Sequence, residues 1–316
     1  MEGLVEILVV MCVGVLVGAT VFPDSLKKAN AACTLAATGL LIFSMGAMLG
    51  GRDGFLDELA SLGAASLAFA VLPIACSVVA VYLLSRAFMS DITRRHAEDA
   101  AHVAARESVD ADGGESTMIA IAVGALVLGV AAGLAPVPLP PVDALVAHSD
   151  WVLFALMFFV GISVGGSKGL IGKIKQYHVR VLIIPFGIVV GSIAGGLLAA
   201  LLCGFSLPVG GAIASGFGWY SLSGVMLTGI AGAEVGSVTF LANLLRELIS
   251  FFTIPLIARH LNYPTCIAPA GATSEDTTLP MMIRCTNSET VVLSVVNGVI
   301  CSALVPVLIE FFHALM

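Results

Sequence analysis

GFGWYSLSG, residues 216–224, holds three glycines, two serines and an adjacent Trp-Tyr pair. Apolar sequence surrounds it, yet its own composition is that of a loop. Non-helical backbone must find partners for its N–H and C=O groups, and lipid offers none. Such backbone survives at membrane depth only where it is buried in protein or lines a wet cavity. The stretch therefore predicts a broken or re-entrant helix. The competing reading is an interfacial aromatic belt on a short external loop.

Composition sets the class around it. Of 316 residues, 59% are hydrophobic and 11% charged, with a mean hydropathy of +1.05. That is too little charge to cover a soluble protein of this size, so the chain reads as an all-α polytopic membrane protein. The net charge of −7 decides less, because seven acidic residues fall together between Asp91 and Glu115. No basic face exists for nucleic acid. The seven cysteines form no CxxC pair and read as small buried hydrophobes. Neither a metal nor a cofactor is expected. The N-terminus lacks the basic start and cleavage site of a signal peptide, so its first apolar run is expected to stay as an anchor.

Apolar runs of roughly 20 residues mark spans near 4–22, 33–50, 61–86, 118–135, 151–167, 178–203, 238–258 and 290–313. This predicts about eight transmembrane helices. The segments 206–232 and 263–286, rich in Gly, Ser, Thr and Pro, remain as two broken or re-entrant segments. Lys27, Lys28, Arg86, Arg94, Arg95, Arg106, Lys168, Lys173, Lys175 and Arg180 fall on one side, and Arg52 alone falls on the other through the sixth span. The positive-inside rule then puts both termini outside the cytoplasm. The stretch 87–117 reads as a charged cytoplasmic loop, with His96 and His102 as solvated surface.

The chain also resembles itself at an offset of 115 residues. Gly14 and Gly18 match Gly129 and Gly133, and Pro23 matches Pro138. FSMGAMLGGRDGF from Phe43 matches FFVGISVGGSKGL from Phe158, with Gly46, Gly50, Gly51 and Gly54 on Gly161, Gly165, Gly166 and Gly169. Each copy holds three spans, an odd number, so the second enters the membrane inverted. The expected organisation is two inverted three-helix repeats, 1–86 and 116–205, joined by 87–117. Residues 206–316 then carry the transport site. Recurrent small-xxx-small packing is the competing account.

Three stretches carry chemistry. In the first, Gly216, Gly218 and Gly224 allow close backbone approach, Ser221 and Ser223 supply hydroxyls, and Trp219 and Tyr220 offer faces to a cation or an aliphatic stem. In the second, APAGATSEDTTLP (residues 268–280), Thr273, Ser274, Glu275 and Asp276 combine hydroxyls with carboxylates. At an offset of 55, Gly216 falls on Gly271 and Glu234 on Glu289. The third is NLLREL, with Asn243, Arg246 and Glu247 inside an apolar span. Ionisable residues at that depth are costly and are functional candidates by default. Neighbours on a helix point about 100° apart, so Arg246 and Glu247 are expected to find separate partners. Glu234, at the start of that span, is a further candidate carboxylate at either mid-depth or interfacial position.

GFGWYSLSG, LANLLRELISFFTIPLIAR (residues 241–259) and GATSEDTTLP (residues 271–280) resemble the signature stretches of the LysO family of lysine exporters. The similarity is densest from Ala214 to Pro280, and 87–117 looks like an insertion. The resemblance implies an inner-membrane exporter of L-lysine and close cationic analogues, with Glu247 and Asp276 as the intramembrane acidic residues. The expectation is then a secondary exporter, not an enzyme, coupled to proton entry, since no phosphate-binding loop is present. Its partners are lysine, protons or sodium, and the bilayer, and a homo-oligomer is compatible with the chain. A sodium-coupled carrier of small organic anions is the alternative. An intramembrane aspartyl protease using Asp276 is a third reading, disfavoured by the repeat.

Overall fold

The computed structural model describes residues 2–51, 55–89, 114–135, 140–166 and 178–316. Arg52, His96, His102, Pro138, Lys168, Lys173, Lys175 and nearly all of the 87–117 loop lie outside them. Among the described residues the chain is a helical membrane protein. Its helices are α1 (Glu2–Thr20), α2 (Lys27–Gly50), α3 (Phe55–Phe88), α4 (Gly114–Gly133), α5 (Pro140–Ala147), α6 (Ser149–Gly165), α7 (Ile183–Cys203), α8 (Leu207–Ala214), α9 (Tyr220–Ala231), α10 (Ala233–His260), α11 (Tyr263–Ala270), α12 (Leu279–Cys285) and α13 (Ser288–His313). Among the described residues five are long and apolar enough to cross a membrane, or six where the bent pair α5–α6 counts as one span. The span expected at 238–258 begins earlier, at Ala233. Glu234, Gly236, Ser237 and Thr239 hide its first turns from a hydropathy reading.

The chain divides into two compact units, residues 1–55 with 112–174, and 56–111 with 175–316. The first unit holds α1, α2, α4, α5 and α6, and glycines set its packing. A Cβ at Gly14 would run into the carbonyl oxygen of Phe158, and one at Gly18 into that of Ile162. Likewise Gly129 abuts the carbonyl of Phe43, and Gly133 that of Ala47. Gly161 and Gly165 abut the carbonyls of Met11 and Val15, while Gly46 and Gly50 abut those of Leu126 and Val130. Without side chains in the way, backbones approach closely enough for dispersion and Cα–H···O contacts to hold the helices. Every contact between α1 and α6 in this set recurs between α4 and α2 with both partners displaced by 115 residues. One difference stands out: α2 is a single 24-residue helix, whereas its counterpart is bent by 60° between α5 and α6.

In the second unit α3 and α7 run antiparallel. Gly195 lies on Leu72 and Pro73, Gly191 on Ser77, and Gly187 on Val81 and Leu84. Where they cross, the Ser77 and Ser192 hydroxyls are 2.9 Å apart, and these two residues are separated by 115 positions. α7 ends at Gly204, whose φ of 79° suits glycine, and α8 starts at the same end of the unit. At the opposite end, Asn262 Nδ2 donates to Ser85 Oγ at 3.1 Å. Asn262 also caps α11, which places the end of α10 and the start of α11 there. α10 therefore starts at the end where α8 starts, and α9 returns to that end to join it. Phe312, near the end of α13, covers Gly211 of α8, so α13 starts where α11 starts. α8–α9 and α11–α12 are thus two re-entrant hairpins entering from opposite ends. At about 1.5 Å per residue their arms reach roughly 10–18 Å, a third to a little over half of a hydrocarbon core of about 30 Å. Their tips meet: Ala272 N donates to Phe217 O at 2.9 Å.

Candidate functional site

The first tip turns through Phe217 (φ 47°) and Gly218 (φ 98°). A bulky residue at positive φ is strained and persists only where its surroundings hold it. Asn243, in the middle of α10, does the holding. Its Oδ1 accepts from Gly218 N at 2.8 Å, and its Nδ2 donates to Ile213 O at 3.2 Å and Thr239 O at 3.0 Å. The second tip turns at Gly271 (φ 62°), and Asn297 of α13 holds it. Asn297 Nδ2 donates to Gly271 O at 2.9 Å and reaches Ser274 Oγ at 3.0 Å. Asn243 stands 25 residues after Gly218, and Asn297 stands 26 after Gly271. Each hairpin is thus pinned by an asparagine of the long helix that follows it.

Arg246 and Glu247 point apart, as helix geometry requires. Arg246 is 2% exposed and donates from Nε to Pro269 O at 3.0 Å, from Nη2 to Ala268 O at 3.2 Å and from Nη1 to Ser192 Oγ at 2.8 Å. It therefore sits on the carbonyl end of α11, where the helix dipole is negative. Arg246 was a candidate ligand-binding residue from its depth alone; in the structure two of its donor nitrogens hold a hairpin arm and the third reaches Ser192 on α7.

Glu247 is 1% exposed. Its Oε1 accepts a hydrogen bond from Thr277 Oγ1, and its Oε2 has no partner among the described residues. Half-buried Asp276 accepts from Thr277 N at 2.6 Å and lies 3.2 Å from Thr277 Oγ1. One hydroxyl proton therefore lies between two carboxylates and can satisfy only one at a time. Glu275, 4% exposed, accepts from Ser302 Oγ at 2.9 Å, and its Oε2 is also unpartnered. Among the described residues no basic side chain pairs with any of the three. An extra cationic donor is what the Glu247–Asp276 pair lacks.

The other candidates divide. Gly218 is at the first tip, with Trp219 and Tyr220 half-buried beside it. Tyr220 packs edge-on against Phe240 at 5.3 Å, which favours a packing role for its ring. Ser221 is exposed, whereas Ser223 turns its hydroxyl back to Trp219 O at 2.7 Å. Thr273 and Ser274 brace the second tip by donating to Ala270 O at 3.0 Å and Ser294 O at 2.9 Å. Glu234 is not brought to the cluster. It is exposed in the first turn of α10, about 20 Å along the helix from Glu247 at 1.5 Å per residue. There its charge suits the positive helix end.

Thr277, Ser192, Asn297 and Ser302 were missed as site residues. The signal for Asn297 existed: it is a polar residue inside an apolar span, at nearly the spacing from Gly271 that Asn243 has from Gly218.

Residues 123–313, which include both hairpins and both asparagine pins, match the family model described as lysine exporter LysO. The chain belongs to the LysO lysine exporter family. It is 38% identical over 195 residues to "Lysine exporter LysO" of Escherichia coli (strain K12), covering 60% of this chain and 62% of that protein. The chain thus spans less than two thirds of that relative's length. It is 36% identical over 164 residues to a "Putative lysine exporter" of Haemophilus influenzae, covering 52% of this chain and 83% of that protein. No solved structure matches.

Proposed function

We propose that this chain is a secondary exporter of L-lysine and close cationic analogues in the cell inner membrane, exchanging lysine for entering protons by alternating access. The observation that carries the proposal is Glu247: a fully buried carboxylate with a free oxygen, sharing Thr277 with Asp276 and facing no cation among the described residues. The lysine ammonium supplies what that cluster lacks, and charge-assisted hydrogen bonds to it are the strong kind. The substrate carboxylate is then met by α9, which starts at the first tip without a side-chain cap, so that its first-turn N–H groups favour an anion. An organic anion would instead bring its charge to the uncompensated Glu247–Asp276 pair.

The reciprocal glycine contacts, and the Ser77–Ser192 pair, support reading 1–86 and 116–205 as inverted copies. Such copies can exchange conformations at similar free energy and expose one site to either side in turn. Eight spans with both termini outside the cytoplasm complete the reading, and 206–316 then carries the site.

The test is counterflow of labelled L-lysine in proteoliposomes, with and without a pH gradient. Wild-type protein is expected to exchange lysine and to accumulate it when protons flow the other way. Glu247→Gln is expected to slow exchange on the order of 1000-fold, since a charge pair at about 4 Å with an effective dielectric constant of about 20 is worth about 4 kcal/mol. Unchanged exchange in a well-folded Glu247→Gln protein refutes this site.

A further inference from the structure

The two long helices that flank the second hairpin each pair one carboxylate with one hydroxyl, in opposite order. On the α10 side the helix supplies Glu247 and the hairpin supplies Thr277. On the α13 side the hairpin supplies Glu275 and the helix supplies Ser302, at 2.9 Å. Asp276 joins the α10 side only, through Thr277. The carboxylates thus fall into two groups on opposite flanks of one hairpin: a pair that shares a hydroxyl, and a single acid.

The single acid is closely packed too, at 4% exposed against 1% for Glu247. A Cβ at Gly298 would meet Glu275 Cγ and N, each at 2.7 Å, so the missing side chain lets α13 lie directly on the Glu275 backbone. Glu275 Oε2 is buried and has no protein partner. The titratable and charged groups around it are Asp276 on its own segment, Cys301 on α13, and Arg246 and Glu247 on α10. Arg246 is turned to Pro269 O, Ala268 O and Ser192, and Cys301 Sγ lies 3.7 Å from Asn297 Oδ1. Among the described residues no cation reaches the carboxyl, and an ionised carboxylate at that depth without one is costly. A metal ion would need a shell of oxygens, but the nearby polar side chains are tied to one another. Ser274 Oγ donates to Ser294 O at 2.9 Å, Ser294 Oγ donates to Ser274 O at 2.7 Å, and Asn297 holds Gly271 O. A proton needs one lone pair and no shell, and Oε2 offers that.

We propose that Glu275 carries the coupling proton at a site of its own, on the α13 flank of the second hairpin, while Glu247 and Asp276 on the α10 flank take the substrate ammonium. This rests on the export reading above. In the closed hairpin Glu275 is a neutral acid with its proton on Oε2. When the flank opens to water on the cytoplasmic side the O–H bond breaks, the proton passes to water and the carboxylate remains, to be reprotonated from the other side.

Glu275→Gln fixes the neutral form and tests the assignment in proteoliposomes. Lysine–lysine exchange, which needs no net proton movement, is expected within about twofold of wild type. Accumulation driven by a pH gradient is expected to fall to background, and exchange is expected to lose its pH dependence. Ser302→Ala is the milder variant. Removing a donor to the carboxylate favours the protonated form, so the pH midpoint of driven accumulation is expected to move up while exchange persists. Loss of exchange in a Glu275→Gln protein that melts like wild type overturns the assignment, because Glu275 would then belong to the substrate site. Retained driven accumulation overturns it too, as does an unmoved midpoint in Ser302→Ala, or accumulation that follows a sodium gradient instead of a pH gradient. A wild type that exchanges no lysine overturns the export reading and this proposal with it; failure in the Glu275 arm alone leaves export standing.

Discussion

Replacing Asn243 by Ala should loosen the first hairpin without touching any carboxylate. The side chain pins Gly218 N at 2.8 Å and Ile213 O at 3.2 Å, and both lie where water is excluded. Leaving a buried donor or acceptor unmade costs about 1–3 kcal/mol each, or about 2–6 kcal/mol for the pair. Phe217, no longer held at φ 47°, gives back about 1–3 kcal/mol of backbone strain. The net is a loss on the order of 2 kcal/mol, about 30-fold in the equilibrium between ordered and open tip. Gly216 supplies an independent route to the same state. A Cβ there would lie 2.5 Å from Asn243 Nδ2 and 2.6 Å from its Oδ1, so Gly216→Ala should push the amide aside. The assay is thermal melting in detergent, paired with thiol labelling of a cysteine placed at Ser221 in a cysteine-free background. Both single variants should melt earlier and label faster. Because they break one contact, the double variant should be little worse than either alone. Additive losses, or a wild-type melt in Asn243→Ala, would refute the pin.

The packing of the first unit predicts matched damage. Gly161→Val and Gly46→Val each drive a side chain into the backbone of the facing helix, at the carbonyls of Met11 and Leu126. Because those contacts are reciprocal, both should lower the melting temperature by similar amounts, whereas Gly124→Val, where a Cβ meets nothing within 4 Å, should not. Glu234→Gln, exposed at the start of α10, should leave lysine exchange within about twofold of wild type. At most it should lose the few tenths of a kcal/mol of an N-terminal charge–dipole contact, on the order of 0.3–1. A large transport defect there would place Glu234 on the substrate path.

Legibility followed the kind of interaction. The helical membrane class was readable because length and hydropathy are summed over many residues, and the glycines of the first unit stood out because close helix packing demands glycine at fixed positions. The broken segments were readable because lipid forbids loop composition unless protein covers it. The start of α10 at Ala233 was not, since Gly236, Ser237 and Thr239 are buried among neighbouring helices, which tolerate small and polar residues that a lipid-facing helix would reject. Nor were the partners. Nothing local in NLLREL says that Arg246 reaches carbonyls 22 and 23 residues away or that Glu247 reaches a hydroxyl 30 residues on. Those links exist only once the second hairpin folds back to mid-depth. Glu234 and Glu289, aligned at an offset of 55, both begin long helices. There a carboxylate suits the helix dipole whatever the protein does.

The placement of Arg246 explains why a carboxylate next to it in sequence stays available. Had the two side chains met, the membrane interior would have strengthened the pair, and Glu247 would have been closed to any incoming cation. The guanidinium is drawn instead to the carbonyl end of α11, where Pro269 O and Ala268 O are left over from the helix and carry the negative end of its dipole. Pro264 and Pro269 shape that short arm, and Gly271 ends it at a φ of 62°. A Cβ at Gly271 would come within 3.2 Å of Arg246 Nη2, so the break and the arginine are fitted to each other. The buried positive charge is thus matched by backbone, not by an acid. That leaves Glu247 with an open oxygen at the depth where the two tips meet. A chain that needed Arg246 only to neutralise Glu247 would have no reason to build a carbonyl cradle for it.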